Sequence, residues 1–186
     1  WLRIQRKCLM VSITFVFYML VFLAAIIGWM RGWAKELLVV FSIVLAIFII
    51  LVLETYVGVV QNFYLGGGPS VIFWTRTLII FLLAFFGYQT PNIPRFMDAA
   101  RREKLQDSLL GMVLGAANGW LVFGSIWAYL HESGYFFNFI TMPTPGTPLG
   151  DSALRLINSM PPMWLESPLI YFAVAISFTF VVIVYI

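Results

Sequence analysis

Leu109-Leu-Gly-Met-Val-Leu-Gly-Ala-Ala-Asn-Gly-Trp-Leu-Val-Phe-Gly-Ser-Ile-Trp-Ala-Tyr-Leu130 carries no formal charge over 22 residues and is long enough to cross a bilayer as a helix. Gly111, Gly115 and Gly119 recur every fourth residue, so on a helix they stack into one shallow groove with Ala116 beside it. Between helices in hydrocarbon, close packing replaces the hydrophobic effect as the driving force, and small side chains are what let two backbones approach. The stretch therefore reads as the helix against which the other spans pack. Asn118, midway along it, needs a partner: an acceptor on another helix, its own backbone or a buried water.

The surroundings agree with a lipid environment. Of 186 residues 62% are hydrophobic and 10% charged, against roughly 45–50% and 25% in soluble domains. A water-soluble fold has no way to bury that much apolar surface, so the reading is a single all-α domain, a polytopic membrane helix bundle. It has about five transmembrane helices, over residues 9–27, 37–57, 71–88, 109–130 and 169–186. The segment from Trp1 to Met30 has the layout of a signal sequence, with Arg3, Arg6 and Lys7 ahead of an apolar run. That run is longer than a signal core and lacks a small-x-small cleavage site, so it reads as a retained span.

Between the spans, Gly28 to Glu36 forms a tight connection in which Trp29 and Trp33 flank the charges, as expected at a headgroup boundary. Gln61 to Ser70, with Gly66, Gly67, Gly68 and Pro69, reads as a turn. It lacks the Lys-Ser or Lys-Thr and the strand-to-helix setting of a phosphate loop. Arg76 falls about one turn inside the third span, costing roughly 2.5–3.5 kcal/mol at mid-bilayer and less near an interface, which apolar neighbours returning about 0.3–0.6 kcal/mol each outweigh. Glu54 lies at the same membrane surface, and the two either pair or snorkel separately to water.

Residues 95–107 read as a short interfacial helix, supported by Asp98 with Arg102 at i+4, and Asp107 and Ser108 as N-cap candidates for the fourth span. Residues 131–168 form a long extramembrane connection. Leu154 to Met160 is expected to be a short amphipathic helix, and Tyr135, Phe136, Phe137, Phe139 and Trp164 to hold the connection against the membrane surface.

Chemistry-bearing residues are few. Cys8 is the single cysteine, so no internal disulfide or cysteine-based metal site is expected. His131 is the single histidine; its imidazole is a weak candidate for binding a haem or chlorophyll, against the plainer reading of a solvated interfacial residue. No catalytic constellation stands out, and the reading is of a non-enzyme without metal or resident cofactor beyond lipid. Pigment or quinone enters only if the chain is a subunit of an energy-transducing complex. The eleven basic residues are scattered through connections, which disfavours nucleic acid despite a net charge of +3. The spans' formal charges, Glu54 and Arg76, lie near helix ends, which ranks a transporter component lowest.

Two of these segments together resemble the colicin V production protein family of bacterial inner-membrane proteins. Gly28-Trp-Met-Arg-Gly-Trp-Ala-Lys-Glu36 is similar to the family's small-residue, Arg-Gly, then Glu connection between its first two spans, which would make Gly28, Arg31, Gly32 and Glu36 the motif residues. Asp107-Ser-Leu-Leu-Gly-Met-Val-Leu-Gly-Ala-Ala-Asn-Gly119 is similar to its Leu-Gly, Gly, Gly pattern opening the fourth span, and the resemblance covers roughly residues 9–131. The family often has Arg where this chain has Asn118, and a fifth span is outside its usual core. The resemblance implies a structural or accessory multi-pass protein of the bacterial inner membrane, linked to bacteriocin export and envelope maintenance.

Its expected partners are membrane lipids and other transmembrane helices, in a homo-oligomer or a larger complex. The alternative is a peripheral subunit of a photosynthetic or respiratory complex. Lys and Arg divide six (Arg31, Lys35, Arg95, Arg101, Arg102, Lys104) against five (Arg3, Arg6, Lys7, Arg76, Arg155), a near balance, and it is the compact basic segment near Arg101 that favours an outside N-terminus and a cytoplasmic C-terminus.

Overall fold

The computed structural model describes residues 13–89, 104–137 and 140–185. Residues 9–12 of the first expected span, Arg3, Arg6, Lys7, Cys8, the 95–103 part of the expected interfacial helix and Phe139 lie outside the described residues. All regular structure among the described residues is helical: α1 (Ile13–Arg31), α2 (Trp33–Tyr56), α3 (Gly58–Tyr88), α4 (Lys104–Glu132), α5 (Pro148–Asn158), α6 (Pro161–Trp164) and α7 (Leu169–Tyr185).

Four of these, α1 to α4, are long and apolar enough to span a membrane. The fifth apolar helix, α7, covers the 17 described residues Leu169–Tyr185, about 25 Å. Of the roughly five expected spans, four are thus matched by membrane-length helices, and α7 stands in the place of the fifth. Large apolar side chains such as Phe22, Trp74, Phe85, Phe86, Phe172 and Ile176 face outward, while Glu36, Thr77, Asn118 and Ser125 are buried. An apolar exterior around polar interior groups suits lipid as solvent.

The connections are tighter than the sequence reading allowed. The helix expected to stop at Ile27 continues to Arg31, and α2 starts at Trp33. One residue separates them: Gly32, at φ 85°, a left-handed conformation that glycine adopts at no steric cost. Val57 alone separates α2 from α3, and the Gln61 side-chain amide donates to Glu54 O at 2.9 Å and Thr55 O at 3.1 Å, satisfying carbonyls that the end of α2 leaves open.

The expected Gln61–Ser70 turn is also replaced by helix. The chain is helical from Gly58, and within α3 only Gly68, at φ 70°, departs from helical geometry. Pro69 forces the residue before it out of the helical region yet is itself acceptable in a first turn, so the disruption shrinks to a kink. Residues 69–88 then rise about 30 Å.

α4 is the centre. It packs most extensively along antiparallel α1 and also touches α2, α3, α5 and α6, while α7 lies on the far side of α2. Phe41 meets Phe180 at 5.2 Å and Phe48 meets Tyr171 at 5.9 Å, so α7 runs antiparallel to α2. The 131–168 connection folds onto the end of the bundle. Tyr135 accepts a hydrogen bond from Trp127 Nε1 at 3.1 Å, and Phe136 and Phe137 set their rings against Phe73 at 5.4 and 5.8 Å.

The aromatic side chains at 135–137 thus anchor the connection to the protein itself, while Trp164 remains about half exposed. Burial raises the Tyr135 phenol above its ordinary pKa, and the hydrogen bond from Trp127 opposes that shift.

The amphipathic helix of the connection is α5, beginning at Pro148 instead of Leu154 and ending at Asn158. Thr147 Oγ1 accepts from Gly150 N at 3.1 Å to start it, and Gly150, Ala153 and Ile157 form its buried face. Met160, fully buried, plugs the space over Gly124. Replacing it with Ala is expected to cost about 2–5 kcal/mol. The readout is a lower unfolding temperature in detergent, together with faster protease cleavage within 131–168.

Candidate functional site

The most extensive helix contact among the described residues is made by small residues on both sides. On α1 and its end, Ala24, Gly28 and Gly32 recur every four residues and meet Gly111, Gly115 and Gly119 of α4. A Cβ at Gly28 would lie 2.7 Å from Gly115 Cα, one at Gly111 2.9 Å from Gly32 Cα, one at Gly115 2.8 Å from Gly28 Cα and one at Gly119 3.0 Å from Val21 Cα. At Gly28, Gly111 and Gly115 these separations are closer than real Cβ contacts allow, so no larger residue fits there without parting the backbones, and at Gly119 the fit is only slightly looser. Gly111, Gly115 and Gly119 are buried, and Ala116 beside them is half-buried. The face docks a span of its own chain, so it is already occupied with respect to any second protein.

Where α1 ends, the polar residues of the first motif meet the second. Glu36, in the first turn of α2, is fully buried. Its carboxylate accepts from Arg31 Nη1 at 2.7 Å and from Asn118 Nδ2 at 2.8 Å, and the same Nδ2 donates to the Glu36 carbonyl at 2.9 Å. Arg31 also donates through Nη2 to the Tyr88 carbonyl at 3.0 Å, with its guanidinium 4.4 Å from the Tyr88 ring centre, which ties in the end of α3. One charge-assisted network thus joins the ends or interiors of α1, α2, α3 and α4.

Asp107 completes the same end of the bundle. It was expected to cap the fourth span, but residues 104–107 are already helical and continuous with the rest of α4, so Asp107 lies inside the helix. Asp107 Oδ1 instead accepts from the backbone N–H of Trp33 at 3.2 Å, at the start of α2, where a carboxylate also opposes the positive end of the helix dipole.

A second ionic group closes the opposite end. Arg76 holds Glu54 through two bonds, Nε to Oε1 at 2.6 Å and Nη2 to Oε2 at 2.9 Å, and a third donor, Nη1, engages Glu132 at the end of α4. Its guanidinium also lies 4.9 Å from the Tyr129 ring centre. Arg76 therefore bridges α2, α3 and α4. His131, next to Glu132, is half-buried, with its ring edge-on to Tyr135 at 5.7 Å and its Nδ1 buried without a hydrogen-bond partner. Among the described residues no group of three or more His, Cys, Asp or Glu side chains is placed to hold a metal ion.

With this geometry in hand, comparison with known proteins adds nothing: no family model matches the chain, and neither the curated proteins nor the solved structures compared with it contain a match.

The sequence reading named Gly28, Arg31, Gly32, Glu36, Gly111, Gly115, Asn118 and Gly119 without placing the two groups in contact. The signal that they meet was present: small residues at 24, 28 and 32 have the same four-residue spacing as those at 111, 115 and 119. Glu132 as a second carboxylate for Arg76, and Asp107 as a cap for α2, had no such local signature.

Replacing Gly115 with Leu is expected to force α1 from α4 and abolish the monodisperse folded species on size-exclusion chromatography, while the same change at exposed Met112 leaves the profile unaltered. Glu36→Gln, which leaves the Arg31 charge without its carboxylate, is expected to destabilise by about 3–5 kcal/mol, measured by unfolding in mixed micelles.

Proposed function

We propose that this chain is a structural or accessory protein of a bacterial inner membrane that acts through contacts between helices, in the manner the resemblance to colicin V production proteins implies. The observation that carries this reading is the convergence of its two motif segments. Gly28, Arg31, Gly32 and Glu36 lie against Gly111, Gly115, Asn118 and Gly119 as one interlocked unit, as expected if the two patterns serve a single purpose. The residues most like a functional signature are spent on fixing α1, α2 and α4, so contact with neighbours falls to the outward faces of α3 and α7.

Those faces carry Trp74, Phe81, Phe85, Phe86, Phe172 and Phe178, all exposed. Their aromatic character supports a second reading, a peripheral subunit of a photosynthetic or respiratory complex that touches neighbouring subunits, pigment or quinone. In either case the N-terminus is assigned to the outside and the C-terminus to the cytoplasm.

Gentle detergent extraction followed by sizing and absorbance separates the two. A colourless species of one chain or a few copies is expected. Co-purification with pigmented or haem-bearing subunits would replace the first reading with the second.

A further inference from the structure

α3 is longer than a membrane crossing requires. Residues 69–88 alone rise about 30 Å, the thickness of the hydrocarbon core, and residues 58–67 add about 15 Å more. This surplus piece starts one residue after α2, which has 24 residues and crosses the core itself, and it ends at the Gly68 kink. The bond from Arg76 Nε to Glu54 Oε1, 2.6 Å, holds the end of α2 level with the first turns of the spanning part of α3. Both ends of residues 58–67 therefore belong to one membrane surface.

The two sides of the piece differ. At 100° per residue, Val60, Tyr64 and Gln61 share an arc of about 100°. Val60 and Tyr64 are half-buried and the Gln61 amide is bonded to the last carbonyls of α2, so this arc faces protein. Val59, Asn62, Phe63 and Leu65 take up the opposite arc and are exposed, Val59 at 78% and Leu65 at 85%. Exposed Tyr56 extends that face onto the end of α2, and residues 55–75 carry no formal charge.

The other connection at this end of the bundle has a different exterior. Beyond Leu149, α5 exposes only Ser152, Arg155 and Asn158, a surface suited to water. Two connections at the same end with opposite outer faces meet different surroundings. On the spanning side of the kink Trp74 is also exposed, so the apolar face of residues 58–67 continues into the lipid-facing side of α3. A helix satisfies its own backbone groups, and Gln61 serves carbonyls of α2 that water would otherwise have to serve, so the piece can leave water without stranding polar groups.

We propose that residues 58–67 are a membrane-interface helix whose outer face, Val59, Phe63 and Leu65 with Tyr56 beside it, inserts shallowly between headgroups and acyl chains on the Arg76 side of the bilayer. The partner is the bilayer itself, held by apolar contact; with no charge on the segment, anionic lipid is not required. Val57 and Gly68, the non-helical residues at its two ends, let the chain turn from the spanning direction into the membrane plane and back. The assignment holds whether the protein works alone or within a larger assembly.

The test places one nitroxide label at a time on the full chain in phosphatidylcholine vesicles, with Cys8→Ser removing the native thiol. Val59→Cys, Phe63→Cys and Leu65→Cys report on the proposed face. Phe85→Cys, on the lipid-facing side of the span, and Ser152→Cys, on α5, set the two limits. Oxygen concentrates in hydrocarbon and nickel(II) ethylenediaminediacetate in water. At 59, 63 and 65 collisions with oxygen are expected to exceed those with nickel, as at 85, and the ratio is expected to invert at 152.

A nickel-dominated ratio at the three sites would mean that they face water and would overturn the proposal. Low collision rates with both reagents would overturn it too, since that face would then be covered by protein. Each label replaces an exposed side chain, and any two of the three variants that keep the sizing profile of the unmodified chain decide the outcome.

Discussion

At Gly28, Gly111 and Gly115 the backbones of α1 and α4 approach so closely that no side chain fits between them. This contact is the constraint on which the rest of the structure depends. In water, two such helices would be pressed together by their apolar side chains; in lipid, the surroundings are as apolar as the helices, and close backbone contact supplies the attraction. Because α4 is also the element that α2, α3, α5 and α6 touch, the position of α1 against it sets the frame for the whole bundle.

Two ionic groups, one at each end, turn that frame into a single arrangement. At one end Arg31, Glu36 and Asn118 join α1, α2 and α4, and at the other Arg76 joins Glu54 and Glu132 across α2, α3 and α4. Glu36 is fully buried and Arg31, Glu54 and Arg76 are largely so, while Glu132 is exposed, so the loss of a partner costs most at Glu36 and least at Glu132. Such pairs penalise every helix register in which they fail to meet. The apolar surfaces, rich in interchangeable Phe, Leu and Ile, have much less power to discriminate one register from the next.

The same economy explains why Asn118 matters beyond its size. The amide presents donors on one side and an acceptor on the other, and α2 uses only the donors.

The all-helical class, the membrane environment, the central place of residues 109–130 and the small-residue face could all be read from sequence, because they follow from composition, run length and four-residue spacing. Those signals are local. Boundaries were less legible: a proline or a cluster of glycines signals a break without stating its extent, and the break proved to be Gly32 alone in one place and a kink at Gly68 in another.

Only the tertiary structure decided which residues meet. Asp107 caps α2 instead of its own helix, Glu132 joins Arg76, and Glu36 finds Asn118 across 82 positions of chain. Such pairings depend on how helices rotate and slide against one another, and that is set by the sum of packing over the whole bundle, to which no single segment of sequence holds the key.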